Sequence, residues 1–129
     1  MLLAIDAGNT NIVFALFDGS KPVGVWRSST NAQHTADEYA VFLHTLMQQA
    51  GLGKEKITSA IMASVVPVAN FPLMKLCRDH FKCEPMIVGA HGVDAGIKVL
   101  LDKPEEIGAD RIVNAVGGTK SYKGPLLII

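Results

Sequence analysis

Apolar and polar positions along this chain follow two spacings, one suited to strands and one to helices. Leu2 to Ile5 is a continuous apolar run, the pattern of a strand covered on both faces. Ile12 to Phe17 is a second run, rich in β-forming residues. The polar stretch Asp6-Ala-Gly-Asn-Thr-Asn11 between them predicts a bend. Asp18-Gly-Ser-Lys-Pro22 predicts another turn, because Asp-Gly followed closely by Pro ends a strand. Val23 to Ser28 then reads as a third strand carrying Trp26. Three strands joined by short polar turns imply an antiparallel meander.

The period then changes. Ser29 to Ala36 is a polar connection, and Thr35-Ala-Asp-Glu38 has the form of a capping box. Tyr39, Phe42, Leu43, Leu46, Met47 and Ala50 follow at helical spacing, and Gly51 is the expected stop. Ile57 to Val66 predicts a central strand ending at Pro67, and Asn70 to Phe81 a second helix with Pro72 in its first turn. Pro85 to Val88 reads as a short strand closed by Gly89. Ala90 to Gly96 is loop, with His91 and Asp94, and Ile97 to Leu101 suits another short strand. Asp102-Lys-Pro104 is a turn, and Glu105-Glu106 places negative charge where a helix would start. Ile112, Val113, Val116 and Tyr122 give a third helical period, weakened by Gly117-Gly118. Leu126 to Ile129 is a bare apolar run expected to be a strand, either the last of this sheet or the first of a second domain.

Composition narrows the function. The chain has 129 residues, 49% apolar and 19% charged, which is a folding composition and not a disordered one. Twelve basic and twelve acidic side chains cancel, and no basic stripe appears, which argues against a nucleic-acid partner. No apolar run approaches the ~20 residues of a membrane span, and Asp6 interrupts the signal-peptide pattern, so no membrane partner is expected. Cys77 and Cys83 are too few for a disulfide framework and read as reduced packing thiols of a cytoplasmic protein.

The candidate chemistry begins at the first bend. Gly8 is free to take positive φ, and Asn9 tolerates it. Backbone N–H groups in such a bend converge and hold phosphate oxygens, while Thr10 and Asn11 add side-chain donors. Asp6 at the strand end suits a Mg²⁺ ion held through water. An ordinary hairpin loop uses the same residue types. Ser64 near a strand end lines a cleft or is a satisfied buried hydroxyl, and His44 lacks a second ligand at helical spacing.

Three stretches carry a resemblance: Asp6-Ala-Gly-Asn-Thr-Asn11, Pro104-Glu-Glu-Ile-Gly-Ala-Asp-Arg111, and Ile112-Val-Asn-Ala-Val116 directly behind. Together they closely resemble type III pantothenate kinase, of the actin-like or ribonuclease H-like ATPase superfamily, over its N-terminal part. The resemblance implies an α/β fold: a mixed five-stranded sheet with an N-terminal antiparallel meander and helices on both faces. It implies a domain over residues 1–108, then a linking helix and the first strand of a second, truncated domain over 109–129. The implied reaction is transfer of the γ-phosphoryl group of ATP to pantothenate, the first step of coenzyme A biosynthesis. Asp6, Ala7, Gly8, Asn9, Thr10, Asn11, Ile12 and Val13 would form the phosphate-binding hairpin, with Asp6 orienting Mg²⁺. Leu101, Gly108, Ala109, Asp110 and Arg111 would line the pantothenate pocket, with Asp110 as general base. Without the family, Asp110 complements a helix dipole and Arg111 pairs with Glu106 or Asp110.

The family also implies a monovalent cation, K⁺ or NH₄⁺, with its ligand beyond residue 129, and a homodimer in the full-length enzyme. Leu101 stands where the family usually has Tyr, and Lys103 where Asn is usual. The second phosphate loop, D-F-G-T, which follows an apolar strand in the family, is not among these residues, so this half alone is expected to be inactive. The rival readings are a kinase of the same fold acting on another small molecule, and a silent regulatory homologue.

Overall fold

The computed structural model describes residues 1–90 and 93–128. Five strands form one sheet: β1 (Leu2–Ala7), β2 (Asn11–Asp18), β3 (Lys21–Ser29), β4 (Ser59–Ser64) and β5 (Pro85–Ile87). Their spatial order is β3-β2-β1-β4-β5. β1 pairs antiparallel with β2 and parallel with β4, and β5 is parallel to β4. This mixed sheet with its opening meander is the architecture the resemblance implied. Three helices cover it: α1 (Ala36–Gln49), α2 (Pro67–Phe81) and α3 (Ala109–Ser121). Single 3-10 turns occupy Lys54–Lys56 and Pro104–Glu106.

The two faces of the sheet are unequally covered. Leu3, Ile5, Ile12, Phe14, Leu16 and Met62 project to one side and are sealed beneath α1 and α2. Tyr39, Leu43 and Met47 of α1, and Leu73, Leu76 and Phe81 of α2, complete that core. The opposite face is covered by α3, where Ala109 and Ile112 pack on Ala63 and Val88. Leu2 and Ala4 there remain half-buried, so β1 alternates in burial where a doubly covered strand was expected. One helix is too narrow to shield a five-stranded sheet.

Several boundaries move, each for a local reason. β3 begins at Lys21 and includes Pro22, which an edge strand tolerates beside the irregularity at Leu16/Phe17. α2 begins at Pro67 and not at Asn70, because Pro is pre-organised for the first helical position. Pro72 therefore lies inside the helix and denies the Val68 carbonyl its usual N–H partner. β4 is trimmed to Ser59–Ser64 and β5 to Pro85–Ile87. Ile97 to Leu101 forms no strand, nor do residues 126–128; Ile129 and His91 lie outside the described residues. An extended apolar segment becomes a strand only where a neighbour accepts its hydrogen bonds. Leu126 and Ile128 instead lie against Gly118 of α3, a contact that the missing side chain permits.

Candidate active site

The parallel strands β1 and β4 end side by side, at the edge where ligands gather in open α/β sheets. The bend from Gly8 to Thr10 leaves the end of β1. It is closed by Gly8 N–H donating to the Asn11 carbonyl at 3.0 Å. Neither Gly8 nor Asn9 has positive φ, contrary to the expectation from residue type. Gly8 is needed for space: a Cβ there would lie 3.2 Å from the Asn11 carbonyl oxygen, tighter than most real contacts. The Gly8 amide is spent inside the turn, so it does not face a ligand. Among the described residues, the N–H groups of Asn9 and Thr10, in an exposed bend, have no protein acceptor.

The start of α3 reaches the same edge. Val65, just past β4, donates its N–H to the Ala7 carbonyl at 3.0 Å. Its Cγ1 lies 3.5 Å from where a Gly108 Cβ would sit. Gly108 is the residue before α3, and Asp110 Oδ1 occupies the space its side chain would fill, 2.5 Å from where a Cβ would sit. Asp110 is thus folded back over the helix start. Asp6 lies close enough to feel it: partial desolvation first, and the Asp110 charge second, hold the Asp6 carboxyl above its ordinary value. Two acidic groups from distant parts of the chain therefore share one neighbourhood, a pairing that a cation would relieve.

The other expected site residues divide. Asn9, Thr10, Asn11, Asp110 and Arg111 are exposed at this edge or on its helix. Among the described residues Arg111 has no ion-pair partner, and Glu106 pairs with Lys103 at 2.9 Å. The ion pair considered for Arg111, with Glu106 or Asp110, is not formed. Ile12 is fully buried toward α1 and α2, so only its backbone touches the bend. Val13 lies on the other face, in an open groove of about 270 Å³ that runs from Asp6 past Ala15 and Phe17 toward Val113. Ala7 and Ala109 are buried. Leu101, 55% exposed, offers no side-chain polar atom.

Outside this edge the candidates are structural. Ser64 Oγ accepts from Val66 N–H at 3.1 Å and shapes the turn into α2. His44 lies edge-on to Phe81 and His80 between α1 and α2. Burial pushes the Cys77 thiol up to about 12, the mark of a packing residue. Sequence reasoning passed over Thr30, left inside a polar connection. Its hydroxyl donates to the Gly8 carbonyl at 2.6 Å and its N–H to the Thr10 carbonyl at 2.9 Å. Counting the hairpin register outward would have found it, because position 30 falls opposite the bend once Ser29 pairs with Asn11.

The family model for type III pantothenate kinase matches residues 2–129. A type III pantothenate kinase of Paramagnetospirillum magneticum is 58% identical over 129 residues, all of this chain and 50% of that relative. Those of Rhodospirillum rubrum and Rhodospirillum centenum are 53% and 54% identical over the same length, and 50% and 49% of each is covered. The chain thus spans about half the length of the curated relatives it matches. Among solved structures, a ROK hexokinase from Thermus thermophilus aligns with 67% of this chain and 34% of its own, at TM-score 0.47 and 17% identity.

Proposed function

The chain belongs to the type III pantothenate kinase family, and on that premise we propose that it is the half of the enzyme that grips ATP phosphates and presents pantothenate for phosphorylation. The product is 4′-phosphopantothenate, the first intermediate of coenzyme A synthesis. The observation that carries this reading is the shared edge: Val65 N–H bonds the Ala7 carbonyl at 3.0 Å and its Cγ1 lies 3.5 Å from where a Gly108 Cβ would sit, so the end of β1 carrying Asp6 adjoins the start of α3 carrying Asp110. Phosphoryl transfer rests on positioning and charge neutralisation, and this edge supplies groups for both.

The N–H groups of Asn9 and Thr10, with the Thr10 and Asn11 side chains, hold phosphate oxygens. Asp110 accepts the proton of the pantothenate hydroxyl. Arg111, uncommitted to any described carboxylate, takes the carboxylate or amide oxygen of pantothenate. Free N–H groups in the first turn of α3 favour the same anion. Among the described residues no cluster of three His, Cys, Asp or Glu side chains is poised for a metal. Asp6 would therefore hold Mg²⁺ together with phosphate oxygens and water, the usual mode for this ion. Bound there, the ion neutralises charge on the phosphates. The K⁺ or NH₄⁺ requirement, the homodimer and a cytoplasmic location belong to this proposal for the full-length protein. So does the division into a domain at 1–108 and a linking segment at 109–129.

The test is Asp110→Asn in the full-length gene product that carries this chain. The expected outcome is a fall in kcat of about 10²–10⁴-fold, with the KM for pantothenate little changed. An unaltered kcat returns Asp110 to complementing the α3 dipole. Leu101 in place of an aromatic hydroxyl favours a second reading, another small acceptor alcohol. ATP turnover with other acceptors but none with pantothenate would establish it.

A further inference from the structure

Thr30 stands one residue beyond β3 and has no place among the groups that touch nucleotide or substrate. It makes the two bonds that tie the bend to its neighbouring strand, at 2.6 Å from Oγ1 to the Gly8 carbonyl and 2.9 Å from its N–H to the Thr10 carbonyl. A hydroxyl-to-carbonyl distance of that size is at the short end of the range. Thr30 thereby engages the carbonyls of Gly8 and Thr10, and the Gly8 N–H engages that of Asn11.

The consequence follows from peptide geometry. The carbonyl of Gly8 and the N–H of Asn9 belong to one planar trans peptide, so they point in opposite directions. Drawing the Gly8 oxygen inward onto Thr30 turns the Asn9 N–H outward. That N–H is one of the two without a protein acceptor among the described residues. We propose that Thr30 is a positioning residue that aims the Asn9 amide at the phosphates of ATP through its hydroxyl bond to Gly8. This rests on the phosphate-gripping role given to the bend above. A preset donor requires no reorganisation when nucleotide arrives, whereas an unlatched peptide plane would rotate between orientations.

The test compares Thr30→Val with Thr30→Ser in the full-length gene product. Valine keeps the shape and the backbone bond to Thr10 but lacks the hydroxyl; serine keeps the hydroxyl. Both the Kd for MgATP, by calorimetry, and the KM for each substrate are read. Thr30→Val should raise the Kd and KM for ATP about tenfold, the loss expected for one hydrogen bond worth ~1.4 kcal/mol. The KM for pantothenate should stay, and Thr30→Ser should lie within about twofold of the original. Thr30→Ala, which also lacks the hydroxyl, replaces Thr30→Val if the latter fails to fold. Unchanged ATP affinity in a folded hydroxyl-free variant overturns the proposal while leaving the kinase reading intact. If the original protein binds MgATP but leaves pantothenate unphosphorylated, the acceptor assignment fails and the latch is still judged from Kd. No MgATP binding by the original overturns both.

Discussion

At the residue scale, the Gly108–Asp110 contact joins backbone choice to chemistry. Any Cβ at 108 would meet Asp110 Oδ1 at 2.5 Å, whereas the next neighbour, Val65 Cγ1, is at an ordinary 3.5 Å. The obstructed atom is the end of a flexible side chain, so the fold yields readily and the carboxylate is what moves. Gly108→Ala in the full-length protein should therefore leave Tm within a few degrees and lower kcat on the order of 10–100-fold, as displaced reacting groups do. Parallel melting and steady-state measurements check this; a large loss of Tm would mean that the glycine serves packing. The glycine at 108 was legible in the sequence as part of a motif. Its reason was not, because the crowding partner is a side-chain position that only the helix start fixes.

At the element scale, α1 shows a local signal carried through to structure. Thr35 N–H donates to Glu38 Oε2 at 2.7 Å, and Glu38 N–H donates to Thr35 Oγ1 at 3.3 Å, completing the capping box read from Thr35-Ala-Asp-Glu38. The Thr35 N–H bond, with a second donated by the Thr35 hydroxyl to Glu38 Oε2 at 2.9 Å, holds the Glu38 carboxyl below its usual range. Thr35→Ala should destabilise the fold by about 1 kcal/mol, read as a shift of the urea midpoint without a change in slope. The cap was legible because its partners lie three residues apart. α2 was less so: both Pro67 and Pro72 are breakers by composition, and choosing between them required knowing where β4 stops pairing. The strand expected at Ile97–Leu101 does not form: those residues pair with no strand of the sheet, and an apolar run without a partner makes no ladder.

At the scale of the molecule, the end of β1 and the start of α3 adjoin through Val65. The Asp6 carboxyl is raised, so its protonated form is favoured in the folded state, by desolvation first and Asp110 second. A raised acid contributes stability that is complete below its unfolded pKa and is lost as pH climbs through its folded value. Asp6→Asn should therefore melt higher than the original protein at pH 7 without nucleotide or metal, and the gap should close near pH 3. Glu38 and Glu84, both lowered by hydrogen bonds, act in the opposite sense and remain in both proteins, so the difference between them isolates Asp6. Equal melting at pH 7 would show that the Asp6 carboxyl is not raised in the folded state. The sequence by itself determined the order of the strands and helices that form, the capped start of α1, the hairpin and the family, because each is written in neighbours along the chain; the apolar runs at 97–101 and 126–128 were misleading, because neither pairs with a strand. Tertiary structure alone decided that one sheet face is sealed and the other half open, that Ile12 turns away from the bend, and that Thr30 grips it. It also brought Asp6 beside Asp110. Pairing register and helix packing set those distances, and both depend on contacts between residues far apart in the chain.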